Sequence, residues 1–355
     1  MKQAKMNRTT RSNMITYLMV IAFYVIFQIL IATGNVSSLL KGQLVPICAY
    51  VVMAISLNLV VGVSGELSLG HAGFMSAGAF SGIVAAGYLQ TMMESETLVL
   101  IIAMIIGGIV AAAAGVIVGM PILRLSGDYL AIVTLAFGQI IKSIVENLYV
   151  GYDANGLQFS MVKNTLELGE GGKMLITGPM GANGMSTIST FTMGFALIMV
   201  CLFVIFNLVN SKSGRAIMAL RDNKIAAQSV GISSSKYKLL AFVVSAAMAG
   251  MAGVLFALNF TTVVASKFDF NTSILILVFV VLGGLGNMRG SIIAAALLTV
   301  LPELLRSFAD YRMLVYAIFL ILMMLATNNP KLKGFLQSIS AKIKGAVGKG
   351  GEANG

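Results

Sequence analysis

Residues 97–120 read TLVLIIAMIIGGIVAAAAGVIVGM, a run of 24 residues without a charged side chain. About 20 consecutive apolar residues are enough for an α-helix to cross the hydrocarbon core of a membrane. The composition of the whole chain agrees with this stretch, because 58% of its 355 residues are hydrophobic, 10% are charged and the mean hydropathy is +0.93. Soluble domains carry about 25% charged residues. The sequence therefore predicts a polytopic membrane protein and excludes disordered, coiled-coil and collagen-like classes.

Similar apolar runs recur along the chain, and we predict an all-α polytopic membrane protein with about ten transmembrane segments and broken or re-entrant helices. The stretch 272–308 is predicted to form two segments, because Gly283-Gly284-Leu285-Gly286-Asn287 interrupts it. The predicted segments are 15–33, 44–63, 67–89, 97–120, 127–147, 190–209, 238–260, 272–286, 290–308 and 311–327.

Charge predicts the orientation of these segments. Basic residues cluster before the first segment, at 212–238 and at 331–349, and loops rich in Lys and Arg stay on the cytoplasmic side. All three clusters reach that side only if an even number of segments separates each pair, which requires two segments within 272–308. Both termini are then cytoplasmic. The net charge of +11 then lies on the cytoplasmic side, where it is attracted to anionic membrane lipid. No nucleic acid partner is needed to explain this charge.

This orientation gives a simple domain organisation. Residues 1–14 form a cytoplasmic leader and residues 15–327 form the transmembrane domain. That domain contains an external loop, 148–189, and a cytoplasmic loop, 210–237. Residues 328–355 form a basic cytoplasmic tail whose Gly- and Lys-rich end is expected to be disordered.

Motifs for catalysis and metal binding are missing from the sequence. There is no GxxxxGK[ST] phosphate-binding loop, no HExxH or CxxC, and a single histidine, His71. The acidic residues Glu66, Asp128 and Glu146 lie near predicted segment ends, and Lys142 with Glu146 predicts an i,i+4 ion pair. Ion-coupled carriers usually keep acids inside the membrane. We therefore expect no cofactor or metal in this chain, and expect the energy for any transport to come from a partner.

Two glycine-rich breaks interrupt the apolar runs, at 62–73 (GVSGELSLGHAG) and at 281–290 (VLGGLGNMRG). Backbone at membrane depth is left irregular only where protein covers it or where it lines a watery cavity. Small residues at such breaks also let helices pack closely. Both interpretations remain open, packing and lining of a translocation pathway. The candidate pathway residues are Gly65, Glu66, Ser68, Gly70, His71, Gly284, Gly286 and Asn287.

The cytoplasmic loop contains a predicted amphipathic helix over 215–230. Its apolar residues lie among basic ones, and Gly231 is expected to end it. Such a helix either anchors at the membrane surface or, through small residues, lets another protein approach closely. The apolar residues are Ile217, Leu220, Ile225 and Val230, the small ones are Ala226 and Ala227, and the basic ones include Arg215 and Arg221.

Four stretches together resemble the LivM-type permeases, membrane subunits of branched-chain amino acid ABC transporters. The resemblance covers roughly residues 44–327 in order, and the loop 148–189 matches more loosely, through TGPMGANGM at 177–185. The stretches are SGELSLGHAGFMSAGAF at 64–80, LRLSGDYLAIVTLAFGQII at 123–141, the run at 213–257, and VLGGLGNMRGSIIAAALLTVLPELL at 281–305.

The resemblance implies a non-enzymatic transport subunit in a bacterial cell membrane. It implies a LivH-type permease subunit as heterodimer partner, two cytoplasmic ABC ATPase subunits that bind the ATP, and an extracellular or periplasmic binding protein that delivers Leu, Ile or Val. Transport would occur by alternating access past the two breaks. The docking site for the ATPases would be an EAA-type coupling loop, comprising Arg215, Arg221, Ala226, Ala227 and Gly231. This sequence departs from that motif at the acidic position, since Lys224 and Ile225 precede the two alanines.

Three functions remain as alternatives to a branched-chain amino acid permease. Related permeases serve urea and short-chain amide importers, where the binding protein sets the substrate. A stand-alone secondary carrier or channel would transport without an ATPase. An intramembrane enzyme would need a polar catalytic cluster, for which His71 with Glu66 is the candidate pair.

Overall fold

The computed structural model describes residues 8–34, 38–123, 125, 127–153, 156–161 and 172–304, and the single residues 314, 317, 318 and 321. The chain divides into two units, Met1–Leu297 and Leu298–Gly355. The architecture below is that of the first unit.

The described chain is mainly helical. The second helix continues as a π-helical turn over Leu59–Val63, and short 3₁₀ turns lie at Gly178–Met180 and Ala265–Lys267. The helices are α1 (Arg8–Ala32), α2 (Ser38–Asn58), α3 (His71–Leu89), α4 (Glu96–Ile122), α5 (Asp128–Glu146), α6 (Phe191–Asn210), α7 (Lys212–Asp222), α8 (Lys224–Ser229), α9 (Ser234–Ala257), α10 (Phe270–Gly283) and α11 (Met288–Leu304).

Eight helical stretches in the described part are long and apolar enough to cross a membrane. α10 and α11 are separate helices, with the interruption at 284–287 where the glycine-rich break was predicted. The predicted segment 311–327 lies almost wholly outside the described residues. The eight stretches are Ser12–Ala32, Leu40–Val63, His71–Leu89, Glu96–Ile122, Tyr129–Glu146, Phe191–Asn210, Ser234–Ala257 and Ala265–Gly283.

The all-α prediction is wrong for the loop 148–189, which contains a small antiparallel sheet with strand order β2-β1-β3. Val150 of β1 pairs with Ile176 of β3, and both side chains are fully buried. The turn signals in this loop were visible, but its strands are only five residues long and gave no clear alternation. The strands are β1 (Tyr149–Asp153), β2 (Gly156–Ser160), β3 (Lys173–Thr177), β4 (Ala182–Asn183) and β5 (Thr262–Val263), and β4 pairs with β5.

Two of the acidic residues near predicted segment ends belong to α5. Lys142 Nζ lies 3.3 Å from Glu146 Oε1, which confirms the predicted i,i+4 ion pair. The pair is partly exposed, so it contributes little to stability. The side chain of Asp128 lies outside the described residues.

Glycines hold α3, α4 and α9 in close contact at the centre of the molecule. A Cβ atom on Gly250 of α9 would lie 2.6 Å from the carbonyl oxygen of Gly107 in α4, and a Cβ on Gly107 would lie 2.8 Å from that of Gly78 in α3. Helices approach this closely only where small residues face each other. The peripheral α1 differs, since only 11% of the stretch Ser12–Ala32 is buried.

This packing predicts that Gly250→Ala destabilises the protein by about 1–3 kcal/mol, the usual range for overpacking. The new methyl group would meet backbone, which cannot rotate away. Gly42→Ala is the matched control, because Gly42 lies in α2 with no atom within 4 Å of the new Cβ. Alanine there is expected to be neutral or stabilising, by up to about 1 kcal/mol. Thermal unfolding in detergent compares the two, and equal melting temperatures would contradict the packing.

Candidate functional site

The first predicted break is an irregular segment at the end of α2. The π-helical turn Leu59–Val63 is followed by residues 64–70 without regular structure, and α3 begins at His71. Gly65 has φ +74°, a conformation that suits glycine. π-Helical turns occur often at functional sites. We call residues 62–70 together with residues 284–287 the junction.

The two breaks of the junction touch each other through Asn58, which is fully buried at the end of α2. Its side-chain Oδ1 accepts a hydrogen bond of 2.8 Å from the backbone N–H of Gly286, and its Nδ2 donates one of 2.9 Å to Ser291 Oγ. A Cβ atom on Gly62 would collide with the backbone of Gly286. Sequence analysis missed Asn58, although a lone amide in an apolar run was a signal for it.

Asn58→Ala is expected to destabilise the protein by about 1–3 kcal/mol, because it removes both hydrogen bonds of a fully buried amide, those to the N–H of Gly286 and to the buried Ser291 Oγ. The matched control is Asn147→Ala, whose exposed amide donates only to the carbonyl of Ser143 in its own helix. A loss in melting temperature for the first variant and none for the second is the expected result. Equal melting temperatures would show that Asn58 does not hold the two breaks together.

His71 is a buried cross-link between helices. Its Nε2 lies 3.0 Å from Ser56 Oγ and 3.2 Å from Ser245 Oγ. Each serine already donates its proton, Ser56 to the carbonyl of Met53 and Ser245 to the carbonyl of Ser56. With both serine protons used in this way, Nε2 would carry the imidazole proton and share it between the two hydroxyl oxygens.

The candidate catalytic pair of His71 and Glu66 is not formed. Glu66 instead pairs with Lys238, and His71 is held by the two serines. In the described part of the chain, no three His, Cys, Asp or Glu side chains lie together as a metal site would require. The geometry gives the intramembrane-enzyme alternative no support.

Four buried polar atoms near the first break have no hydrogen-bond partner among the described residues: Ser64 Oγ, Ser68 Oγ, His71 Nδ1 and Ser76 Oγ. A buried polar group without a partner costs about 1–3 kcal/mol. A segment that served only for packing could hold alanines here instead. The polar character of the break therefore favours a role that involves polar ligands or movement.

The loop 210–237 forms two helices, which corrects the prediction of one helix over 215–230. α7 ends at Asp222 and α8 starts at Lys224. Asn223 separates them, because its backbone is extended and its Oδ1 accepts a 3.0 Å bond from the N–H of Ala226 as an N-cap. Gly231, with φ +86°, ends α8 as predicted.

The apolar residues of this loop do not share one face. Ile217 and Leu220 of α7 are buried, whereas Ile225 and Val230 are 78% and 76% exposed. Ala226 is also exposed, and Ala227 is buried. After the bend at Asn223, the large apolar side chains of Ile225 and Val230 are therefore left exposed together with the small Ala226.

Arg221 connects α7 directly to the junction. Its Nη1 donates a 3.0 Å hydrogen bond to the carbonyl oxygen of Gly62, and its Cγ lies 2.6 Å from the place of a Cβ on Gly65. Its Nε and Nη2 bind Asp222 Oδ1 at 3.0 and 2.9 Å. A glycine at position 65 leaves room for this side chain.

A second link joins the loop region to the same break. Lys238, in the first turns of α9, forms an ion pair with Glu66, and their side chains are only 10% and 11% exposed. Sequence analysis identified Glu66 and missed Lys238, which was counted in the basic cluster 212–238. The first break is therefore bound by two helices, α7 through Arg221 and α9 through Lys238.

The remaining predicted residues belong either to the loop 210–237 or to the two breaks. Arg215 is exposed, and its Nη1 donates to the carbonyl of Asn210 at 3.2 Å. Gly70 lies against Thr134 of α5, whose Oγ1 accepts from the N–H of Leu69 at 3.1 Å. Gly284 has φ +92° and forms the cap after α10. The structure thus brings the two breaks together and joins Arg221, alone of the predicted loop residues, to them.

These features define a multi-pass helical membrane protein of the permease class, with a polar junction between broken helices that contacts a polar loop. The family described as branched-chain amino acid transport system / permease component matches residues 39–327, and the chain belongs to that family. The resemblance found in the sequence motifs is thereby confirmed.

Individual relatives agree with the family. The chain is 37% identical to the high-affinity branched-chain amino acid transport system permease protein LivM of Salmonella typhimurium, over 82% of this chain and 71% of the relative. It is 36% identical to LivM of Escherichia coli, over 86% and 72%. Identity to the LivH protein of Salmonella typhimurium is 26%, over 78% and 88%. No solved structure matches the chain.

Proposed function

We propose that this chain is one of two membrane subunits of an ABC importer that moves branched-chain amino acids into a bacterial cell across its inner membrane. A LivH-type subunit is its partner, a binding protein delivers the amino acid from outside, and two ATPase subunits bind and hydrolyse ATP. The chain itself is not an enzyme. The names of its LivM and LivH relatives support this assignment.

The proposed topology has ten transmembrane segments with both termini in the cytoplasm. The leader 1–14, the loop 210–237 and the tail 328–355 lie inside, and the loop 148–189 lies outside. Separate helices α10 and α11 support the even number of crossings that the basic clusters require.

The ATPases are proposed to dock on the outward-facing part of the cytoplasmic loop. Ile225 on α8 and Val230 directly after it are exposed, and with the small Ala226 they form a surface that suits an apolar groove on a partner. Arg215, Ala226, Ala227 and Gly231 belong to this docking region.

The observation that carries the proposed mechanism is the bond from Arg221 to Gly62. It gives motion of the loop a direct path to the junction, where the Lys238–Glu66 pair adds a second connection. Movement of the loop, driven by ATP, would then open and close the breaks in an alternating-access cycle.

The translocation pathway is proposed to pass the junction. The buried polar atoms of Ser64, Ser68 and His71 support this placement, since they have no hydrogen-bond partner in the part of the chain that the structure describes and opening would give them water or substrate to bind. The proposed lining comprises Gly65, Glu66, Ser68, Gly70, His71, Gly284, Gly286 and Asn287.

Uptake by proteoliposomes tests the proposal. They would contain this chain, its LivH-type partner, the ATPases and the binding protein, and receive labelled leucine beside labelled urea. We expect ATP-dependent uptake of leucine and not of urea. Urea uptake would contradict the substrate assignment, and uptake without the ATPases would contradict the ABC mechanism.

Gly231→Arg is expected to abolish most of this uptake, because a bulky residue would be strained at φ +86° and would cover the docking region. Gly231→Asn is the matched control, since asparagine tolerates this conformation and adds little bulk. Equal uptake by both variants and the wild type would show that the end of α8 is not a docking surface.

A further inference from the structure

A cavity of about 180 Å³ lies between α1, α6 and the second break of the junction. It shares Gly286 and Asn287 with the proposed translocation pathway, and its other lining residues have no role in the proposed transport mechanism. The described residues that line it include six polar ones, of which Arg289 is the one cation and none is a carboxylate. The polar lining residues are Ser12, Asn13, Thr16, Asn210, Asn287 and Arg289.

Arg289 is the charged group of this cavity. Its Nε donates a 2.8 Å bond to Thr16 Oγ1, and its Nη2 donates to the carbonyl and hydroxyl of Ser12. These bonds hold α11 to α1 and leave Nη1 for another acceptor. Among the described residues, no acidic side chain forms an ion pair with Arg289.

The residues that line the cavity lie in the segments 1–65, 190–221 and 270–302, which include no Asp or Glu, although they include several Lys and Arg. Glu66 and Asp222, which come directly after two of these segments, are already paired with Lys238 and Arg221. A half-buried guanidinium at the edge of a membrane is only partly hydrated, so a charge-assisted hydrogen bond to an anion would stabilise it. The surroundings therefore favour an anion supplied from outside the chain.

The position of the cavity indicates where that anion comes from. Ser12 begins one candidate membrane span and Asn210 ends another. We therefore expect the cavity to lie at the boundary between hydrocarbon and headgroups. Its remaining wall includes the apolar side chains of Ile205, Phe206 and Val209. A ligand here meets polar groups at one end and apolar ones beside them, as a phospholipid does.

We propose that this cavity binds the headgroup phosphate of an anionic phospholipid, with Arg289 as the phosphate ligand. Basic pockets between transmembrane helices on the cytoplasmic side suit such headgroups. The lipid would brace α1 against the second break, since Gly286 and Asn287 also line the cavity. The site requires only a membrane around the helices and does not depend on the transported substrate.

Native mass spectrometry of the full chain, purified with its partner subunits, tests the site. The probes are dioleoylphosphatidylglycerol, dioleoylphosphatidylcholine and inorganic phosphate. Asn13→Asp places a carboxylate in the cavity and leaves the bonds of Arg289 to Ser12 and Thr16 in place. Arg289→Gln removes the cation. Lys212→Gln is the matched control, because it removes an exposed charge from the nearby surface.

We expect the wild type and Lys212→Gln to prefer phosphatidylglycerol to phosphatidylcholine, and the two cavity variants to bind it about tenfold more weakly. If Arg289→Gln does not fold, Asn13→Asp decides alone. Equal binding of both lipids by the wild type, or unchanged preference in Asn13→Asp, would overturn the proposal. Displacement of the bound lipid by inorganic phosphate at millimolar concentration would assign the site to free anions and would also overturn it.

Discussion

Lys238→Met is expected to destabilise the protein by about 3–5 kcal/mol, the range found when one partner of a buried ion pair is removed. The change leaves the carboxylate of Glu66 charged and without its partner at a site where both side chains are about nine-tenths buried. Burying an unpaired charge costs far more than the pair itself contributes. Thermal unfolding in detergent measures the loss.

A double variant and a control separate this effect from general damage. Glu66→Gln combined with Lys238→Met removes both charges, so most of the lost stability is expected to return. Lys142→Met, the same substitution in the half-exposed pair with Glu146, is expected to cost about 1 kcal/mol or less. A double variant that is less stable than Lys238→Met alone would contradict a buried ion pair at the junction.

Arg221→Ala is expected to reduce ATP-driven leucine uptake by about tenfold, a typical size for lost coupling between two sites. The variant removes the hydrogen bond to Gly62 and the side chain that covers Gly65. The ATPases would still dock, because their proposed surface on α8 is unchanged. ATP hydrolysis is therefore expected to continue with little transport, and the ratio of leucine transported to ATP hydrolysed measures this.

Arg215→Ala is the matched control on the same helix. Among the described residues, Arg215 donates to the carbonyl of Asn210, and no hydrogen bond or ion pair joins its side chain to the junction. At equal recovery of the assembled complex, its ratio of transport to hydrolysis is expected to stay near the wild-type value. The same ratio in both variants would show that Arg221 has no special role in coupling.

Hydropathy and glycine identified much of the fold from the sequence. The apolar runs predicted the candidate membrane helices, and Gly283–Asn287 predicted the interruption that separates α10 from α11. Both signals are local, since they depend on neighbours in the chain. The number of crossings and the position of the termini remain predictions.

Contacts between distant parts of the chain could not be predicted from these local signals. The two breaks share a sequence pattern, but nothing in the pattern says that Gly286 binds Asn58, 228 residues away. Lys238 was counted as part of a basic cluster because its partner, Glu66, lies 172 residues earlier. Pairing of charges in a folded membrane protein depends on helix packing, which hydropathy does not determine.

The bend at Asn223 could have been predicted from the sequence. Asn223 followed by a short helical stretch is a normal N-cap signal, but the apolar spacing of Ile217, Leu220 and Ile225 suggested one continuous helix. Side-chain capping by Asn223 prevailed over that spacing. The bend matters for function, because it separates the exposed surface of α8 from Arg221 at the junction.

Hydrogen–deuterium exchange of residues 62–70 in the assembled complex tests the coupling account most directly. Their backbone exchange would be compared with and without ATP bound to the partner subunits. We expect ATP to change the exchange of this segment in the wild type, and the change to disappear in Arg221→Ala. Exchange at 62–70 that does not respond to ATP in the wild type would contradict the account.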